Sequence, residues 1–221
     1  MSKITTVKVT DKGSRIQAMK VIEEVYIKEK GWISTTEGQI PENPAEDGRA
    51  SWFLARINGK AAGVLRLFYD PPLHLPKEYA LTLNEGIDID LMAKQGRFVD
   101  IGRFMILPQY RRNVRVALKL MRIALKEVLE KNYTHFFTDV YEGEPNSPLH
   151  FHTHALGFEI IGKHLYGDLN CSCTRILLTM DIIKAYEKLK ERKCKVYHAL
   201  TYGIRKLLDN RLAERKLVLS E

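Results

Sequence analysis

Along the chain, apolar residues recur at a spacing of two, then three or four, then two again, and each change of period marks a change of element. ITTVKV (4–9) reads as a short strand. From Arg15 to Lys30 the apolar positions Ile16, Met19, Ile22 and Tyr26 have helical spacing, closed by Gly31. Residues 33–50 hold Gly38, Pro41, Pro44 and Gly48 and read as a loop long enough to form a lid. SWFLARI and AAGVLRLFY, split by Asn58-Gly59, form a hairpin. Pro71, Pro72 and Pro76 open an irregular insertion that lasts to Arg97. FVDIGRFMIL (98–107) is a strand stopped by Pro108, and Val114 to Lys131 is a helix with Leu118, Met121, Leu125, Val128 and Leu129 on one face. HFFTDVY (135–141) is a further strand and Ser147 to Leu156 a short helix. FEIIGKHL (158–165) and CSCTRILLTM (171–180) are the last strands, and helical pattern fills the rest. The fold class is therefore α/β: a mixed, mostly antiparallel sheet flanked by helices.

Composition narrows the class. Of 221 residues 45% are hydrophobic and 28% charged, as expected of a globular domain rather than a fibrous or disordered chain. No apolar run approaches the roughly 20 residues of a membrane span, and the first residues lack the apolar centre of a secretory signal. Three cysteines, with Cys171 and Cys173 only two apart, do not suggest a disulfide framework, so a reducing cytoplasm is expected. Most of the net charge of +8 sits in residues 184–216, where eleven lysines and arginines face four acids. That divides the chain into a catalytic-sized domain, residues 1–181, and a basic helical extension, residues 182–221. Val196, Leu200, Ile204, Leu207, Leu208 and Leu212 mark an apolar stripe in the extension, suited to packing on the domain or to forming a homodimer. Its basic collar suits an acidic protein partner, or a membrane surface if the product is a lipid.

The strand at 98–107 carries Asp100 and Arg103, charges that a core strand does not need. A buried ion pair is one explanation, but residues three apart on a regular strand face opposite sides unless a bulge intervenes. Arg66 on the neighbouring hairpin strand offers Asp100 another partner.

The order strand, Leu107-Pro108, Gln109-Tyr110-Arg111-Arg112 leading into a helix, strand, Asn146, short helix and Leu156-Gly157-Phe158 resembles the core of the GNAT superfamily of N-acyltransferases. Tyr26 and Trp32, the strand GVLRL (63–67), the proline-bearing insertion, and Asp100 with Arg103 are similar to two branches of it, the acyl-homoserine-lactone synthases and the long-chain N-acyl amino acid synthases. The resemblance spans residues 15–180. It implies a sheet splayed beside the central strand, with an acyl thioester in the gap and the backbone amides of Met105, Ile106 and Leu107 polarising its carbonyl. It implies Asp100 as base for the attacking amine and Arg103 as its support or as a clamp for a substrate carboxylate. Arg66, Tyr26 and Trp32 would bind substrate, and Arg111, Arg112, Arg115 and Asn146 the donor arm.

Two departures bear on the donor. Val114 and Val116 stand where glycines of a pyrophosphate-cradling turn are expected, which favours the single phosphate of an acyl carrier protein arm over coenzyme A. Thr153 stands where the family's proton-donating tyrosine is usual, leaving His152, His154 and Tyr141 as neighbours.

The function expected is transfer of an acyl group from acyl carrier protein or acyl-CoA to a small-molecule amine such as an amino acid, with no permanently bound cofactor. An ordinary acetyl-CoA-dependent acetyltransferase and a non-catalytic acyl-binding protein are the alternatives, and a nucleic-acid-binding module is disfavoured because few aromatics interleave the basic tail. No metal site is expected. His150, His152 and His154 diverge on a helix, and the cysteines read as strand filling.

Overall fold

A computed structural model describes residues 2–218. Eight strands form one sheet: β1 (Ile4–Lys8), β2 (Ala50–Ile57), β3 (Lys60–Tyr69), β4 (Thr82–Leu83), β5 (Phe98–Ile106), β6 (His135–Tyr141), β7 (Glu159–His164) and β8 (Arg175–Asp181). Their order is β1-β2-β3-β5-β6-β8-β7-β4. Every pairing is antiparallel except β5 with β6, which run parallel at the centre.

Helix α3 (Val114–Glu130) covers one face with its nine buried residues, packing on Leu65, Leu67, Val99 and Phe136. The remaining helices on that face are α4 (Ile182–Arg192), α5 (Lys195–Thr201) and α6 (Arg205–Val218). They do not follow one stripe: Lys193 at φ +46 and Gly203 at φ +76 break the apolar pattern into three short helices that fold back on α3. Leu200, Ile204, Leu208 and Leu212 join its core, and Arg215 ties α6 to Asp181 at 2.7 Å.

Helix α1 (Lys12–Ile22) lies on the opposite face. It begins three residues before the hydrophobic pattern indicates, because Asp11 and Ser14 cap each other's backbone reciprocally. Its continuation, Glu23–Glu29, is π-helical, a widened turn that carries Val25 and Tyr26 inward. The insertion is less irregular than its prolines suggest. It holds α2 (Ile89–Gln95), and its short β4 pairs with β7, so its apolar residues Leu73 and Ile89 cover Phe98, Phe137 and Leu177. The α1 and insertion clusters leave the middle of this face uncovered.

Candidate active site

β5 and β6 pair over three residues only, Phe98–Asp100 against His135–Phe137. Past that point the strands part, and Thr138 Oγ1 donating to Ile101 O at 2.7 Å marks the crotch of the fork. The parting has a local cause. Between the pairs Arg66↔Gly102 and Val64↔Met105, β5 carries one residue more than β3, with Arg103 at φ +50. Such a bulge bends its strand and re-aims the side chains beside it. Gly63 keeps the two strands close just beyond it, since a Cβ there would meet Met105 O at 2.6 Å.

The main chain of β5 is thereby divided between its two sides. Leu107 N donates to Ala62 O at 2.9 Å, so its amide belongs to the β3 ladder. The pair Val64↔Met105 shares that phase, and Ile106 between them turns both its N–H and its C=O away from β3, toward the gap. Arg111 Nε, donating to Ile106 O at 3.0 Å, meets that carbonyl on the gap side.

Charged groups line the floor of the fork. Arg66 Nη2 donates to Asp100 Oδ2 at 3.0 Å, with only about a quarter of either side chain exposed. Gly102 makes room for this pair: a Cβ there would stand 2.5 Å from Arg66 Nη2 and 3.1 Å from Asp100 Oδ2. Arg103 extends away from Asp100. Its Nε donates to Gln39 Oε1 at 3.1 Å, and its guanidinium lies 5.5 Å from the Tyr26 ring centre. Across the gap, Asp139 Oδ2 lies 3.4 Å from His164 Nε2 and 3.9 Å from Arg175 Nε. Arg175 is buried and donates to Leu165 O and Leu169 O, which fixes the β7–β8 loop.

Burial pushes the Asp100 carboxyl up to about 6; Asp139 pushes the same way, while Arg66 and Arg103 oppose. A carboxylate so poised is ionised at neutral pH yet basic enough to accept a proton. Burial also raises the Tyr26 and Tyr141 hydroxyls. It lowers His152 to about 4. Because Pro148 O only accepts, the His152 Nδ1 2.9 Å away carries the proton, and the buried Nε2 is an acceptor without a partner among the described residues. His152 is neutral at pH 7.

These groups border a cavity of about 860 Å³. Phe68, Pro71, Pro72, Leu75 and Pro76 form an apolar wall at the insertion. Tyr26, Trp32 and Tyr141 form another, Trp32 bridging the other two at ring separations of 5.5 and 4.3 Å.

A family model described as "N-acyl amino acid synthase FeeM" matches residues 17–176. The chain belongs to this family. Among solved structures, FeeM itself, an N-acyl amino acid synthase from uncultured soil microbes, superimposes with a TM-score of 0.59 at 17% identity, covering 85% of this chain and 95% of that one. A putative acetyltransferase of the GNAT family from Desulfovibrio desulfuricans gives 0.52 at 11% identity, over 81% and 99% of the chains. The NatC complex bound to Gag peptide and CoA gives 0.51 at 14% identity, over 80% and 98%. A sequence search of curated proteins finds no match. The fold is the GNAT fold, and the FeeM-family chain is an N-acyltransferase, an enzyme that joins an acyl group to an amine acceptor.

The expected site residues are distributed unevenly in this FeeM-family chain. Asp100, Arg103, Arg66, Tyr26, Trp32, Met105, Ile106, Arg111 and Asn146 all line the cavity. Arg112 and Arg115 stand exposed at the start of α3 and do not line it. Arg111 reaches the cavity with its charge already engaged, bidentate to Glu29. Of the three candidate amides, Ile106 is the one that faces the gap, and Leu107 is occupied. Thr153 donates to Leu149 O at 2.9 Å and lies outside the lining, as does His154, which stacks on His150 at 4.1 Å. His152 and Tyr141 border the cavity.

Asp139, Arg175, His164 and Gln39 did not stand out in the sequence. For Asp139 a signal existed: in HFFTDVY it shares a face with Phe137 and Tyr141, and a carboxylate between two aromatics on an inward face is out of place. Gln39, in an irregular loop, gave none.

Proposed function

We propose that this chain is a long-chain N-acyl amino acid synthase, taking its acyl group from an acyl carrier protein. The observation that carries the reading is the fork: main chain opened on one side of β5, with Asp100, Asp139, Arg66, Arg103 and Arg175 beside it. An extended donor arm lies along the freed edge of β5, where gap-facing amides such as that of Ile106 take up the charge developing on the thioester oxygen. The amino acid enters with its ammonium toward Asp100 and Asp139. Asp100 takes one proton from the ammonium, the freed amine attacks the thioester carbon, and the tetrahedral adduct collapses with its C–S bond breaking, the nitrogen's second proton passing to the leaving thiolate.

Arg103 suits the acceptor carboxylate. Arg66 is committed to Asp100 and Arg175 to two carbonyls, whereas Arg103 holds only a neutral glutamine side chain beyond its contact with Tyr26. An exchange of Gln39 for a carboxylate strengthens that bond and adds bidentate geometry. The apolar wall of the insertion accepts the acyl chain, with far more room than an acetyl group fills.

The phosphate end favours a carrier-protein donor. At the head of α3, the Asn113 side chain accepts from Arg115 N at 3.3 Å and the exposed Val114 puts a β-branched side chain where a glycine would let a phosphate approach, while Val116 is buried in the core. The exposed Arg112 and Arg115 lie where the one phosphate of a carrier arm would arrive, and the basic extension suits an acidic carrier.

Incubating the full chain with a long-chain acyl carrier protein, the matching acyl-CoA or acetyl-CoA, each with a pool of amino acids, tests this by mass spectrometry. N-Acyl amino acids formed fastest from the carrier protein are expected. Exclusive use of acetyl-CoA refutes the donor and chain length, and acylation only of amines without a carboxylate refutes the acceptor.

A further inference from the structure

The cysteine pair is not strand filling. β8 begins at Arg175, so Cys171 and Cys173 lie half-buried in the loop before it, between the cavity-lining Leu169 and Arg175. Their neighbour there is Glu144, from the loop that follows β6. The Sγ atoms of Cys171 and Cys173 and a carboxylate oxygen of Glu144 all lie within 4.8 Å of one another.

We infer that Glu144, Cys171 and Cys173 form a binding site for a thiophilic divalent cation of the zinc type. Two soft thiolates select zinc or cadmium over magnesium and calcium, and zinc also accepts the one hard carboxylate oxygen. The spacing fits such an ion. With Zn–S of about 2.3 Å and Zn–O of about 2.0 Å, a tetrahedral site has an S···O edge of about 3.5 Å and an S···S edge of about 3.8 Å. Cys173 Sγ is 3.7 Å from Glu144 Oε1.

The surroundings are those of a ligand set held in place. Cys173 N points at Cys171 Sγ from 3.4 Å, the kind of N–H···S contact that supports a metal-bound thiolate. Lys30 Nζ holds Glu144 Oε2, leaving Oε1, the oxygen nearest Cys173, to bind. The loop is anchored at both ends, through Asn170 N to Trp32 O at 3.0 Å and Glu142 N to Thr174 O at 2.8 Å. Three protein ligands leave the fourth position to water. A bound ion would clip the β7–β8 loop to the segment Glu144–Asn146, which lines the cavity.

The test uses the full chain, reduced and stripped with chelator, and Cd²⁺ as the probe. Titration should raise the ultraviolet thiolate-to-cadmium charge-transfer band to an end point of one Cd²⁺ per chain, and Zn²⁺ added beforehand should compete, so that more Cd²⁺ is needed to reach it. Each of Cys171→Ser and Cys173→Ser should remove about half of the band or more, and Glu144→Gln should weaken binding on the order of 10-fold. In unmutated protein, Zn²⁺ should shield Cys171 and Cys173 from alkylation, read by mass spectrometry, while Cys194 goes on reacting. This last measurement stands even if a variant misfolds. A band that survives in the double Cys171→Ser/Cys173→Ser variant, or equal alkylation of all three cysteines with and without Zn²⁺, overturns the assignment.

Discussion

Replacing Arg66 with Met isolates the charge that governs Asp100. The substitution keeps a stem of similar length against Phe68 and removes the guanidinium 3.0 Å from Asp100 Oδ2. Asp100 stands at about 6 because burial outweighs the opposing arginines, and Arg66 is the stronger of those two. Losing a positive charge at that distance raises a carboxyl by roughly 1 to 3 units. The acid limb of kcat/KM should therefore move from about pH 6 to between about 7 and 9. At pH 7 the ionised fraction falls from about nine tenths to between about a half and about a hundredth, so kcat/KM falls between about twofold and a hundredfold. The assay is thiol release at saturating donor, from about pH 5 to about pH 9, with one acceptor for both proteins so that the amine's own titration cancels. Recovery of activity at the alkaline end is the signature. A limb that stays near pH 6 while activity drops would show that the titrating group is not Asp100, and the base assignment fails.

Asp100→Asn should lower kcat by about 10²–10⁴ while stabilising the fold. The native carboxyl is raised from 3.8 to about 6, so the native state holds the proton more tightly than the unfolded chain and stability is lost as pH rises through that window. Asn mimics the protonated form, which gives a gain of at most about 3 kcal/mol above pH 6 that vanishes below pH 4, read by urea denaturation. His152 has the opposite sign. Lowered from 6.5 to about 4, it costs stability as pH falls between those values, so His152→Phe should remove about 3 kcal/mol of acid lability, visible as a smaller change in urea midpoint between pH 7 and pH 4. Arg103→Ala should raise KM for an amino acid acceptor about 10-fold or more and leave the amine lacking a carboxylate unaffected; equal losses for both remove Arg103 from acceptor binding. Gly102→Ala pushes a methyl to 2.5 Å from Arg66 Nη2, which should part the Arg66–Asp100 pair and move the acid limb, with circular dichroism unchanged.

The sheet was legible wherever one local signal sufficed. Asn58-Gly59 made the hairpin, alternation made β6, and the apolar stripe made α3. What escaped depends on contacts distant in sequence. CSCTRILLTM has strand composition throughout, but the ladder with β6 starts only at Arg175, whose guanidinium holds the preceding loop in another course. The tail reads as one stripe because Tyr202-Gly203 is a small interruption in it, and packing on α3 decides the break. At the site, Asp100 and Arg103 stood out as charges in a core strand. Strand alternation also indicated their separation and Arg66 as the partner of Asp100, but no local pattern reports that Arg103 sits at positive φ, which carries it to Gln39.

The fork has a mechanical side. Only three paired residues on β5 and β6 join one four-stranded half of the sheet, β1-β2-β3-β5, to the other, β6-β8-β7-β4, and the helices must supply the remaining cohesion. A substrate arm that fills the gap adds rungs to this seam and so serves as a temporary structural member. Amides along the open stretches of both strands should accordingly exchange with deuterium fastest in the empty protein and slow down together once the arm is seated.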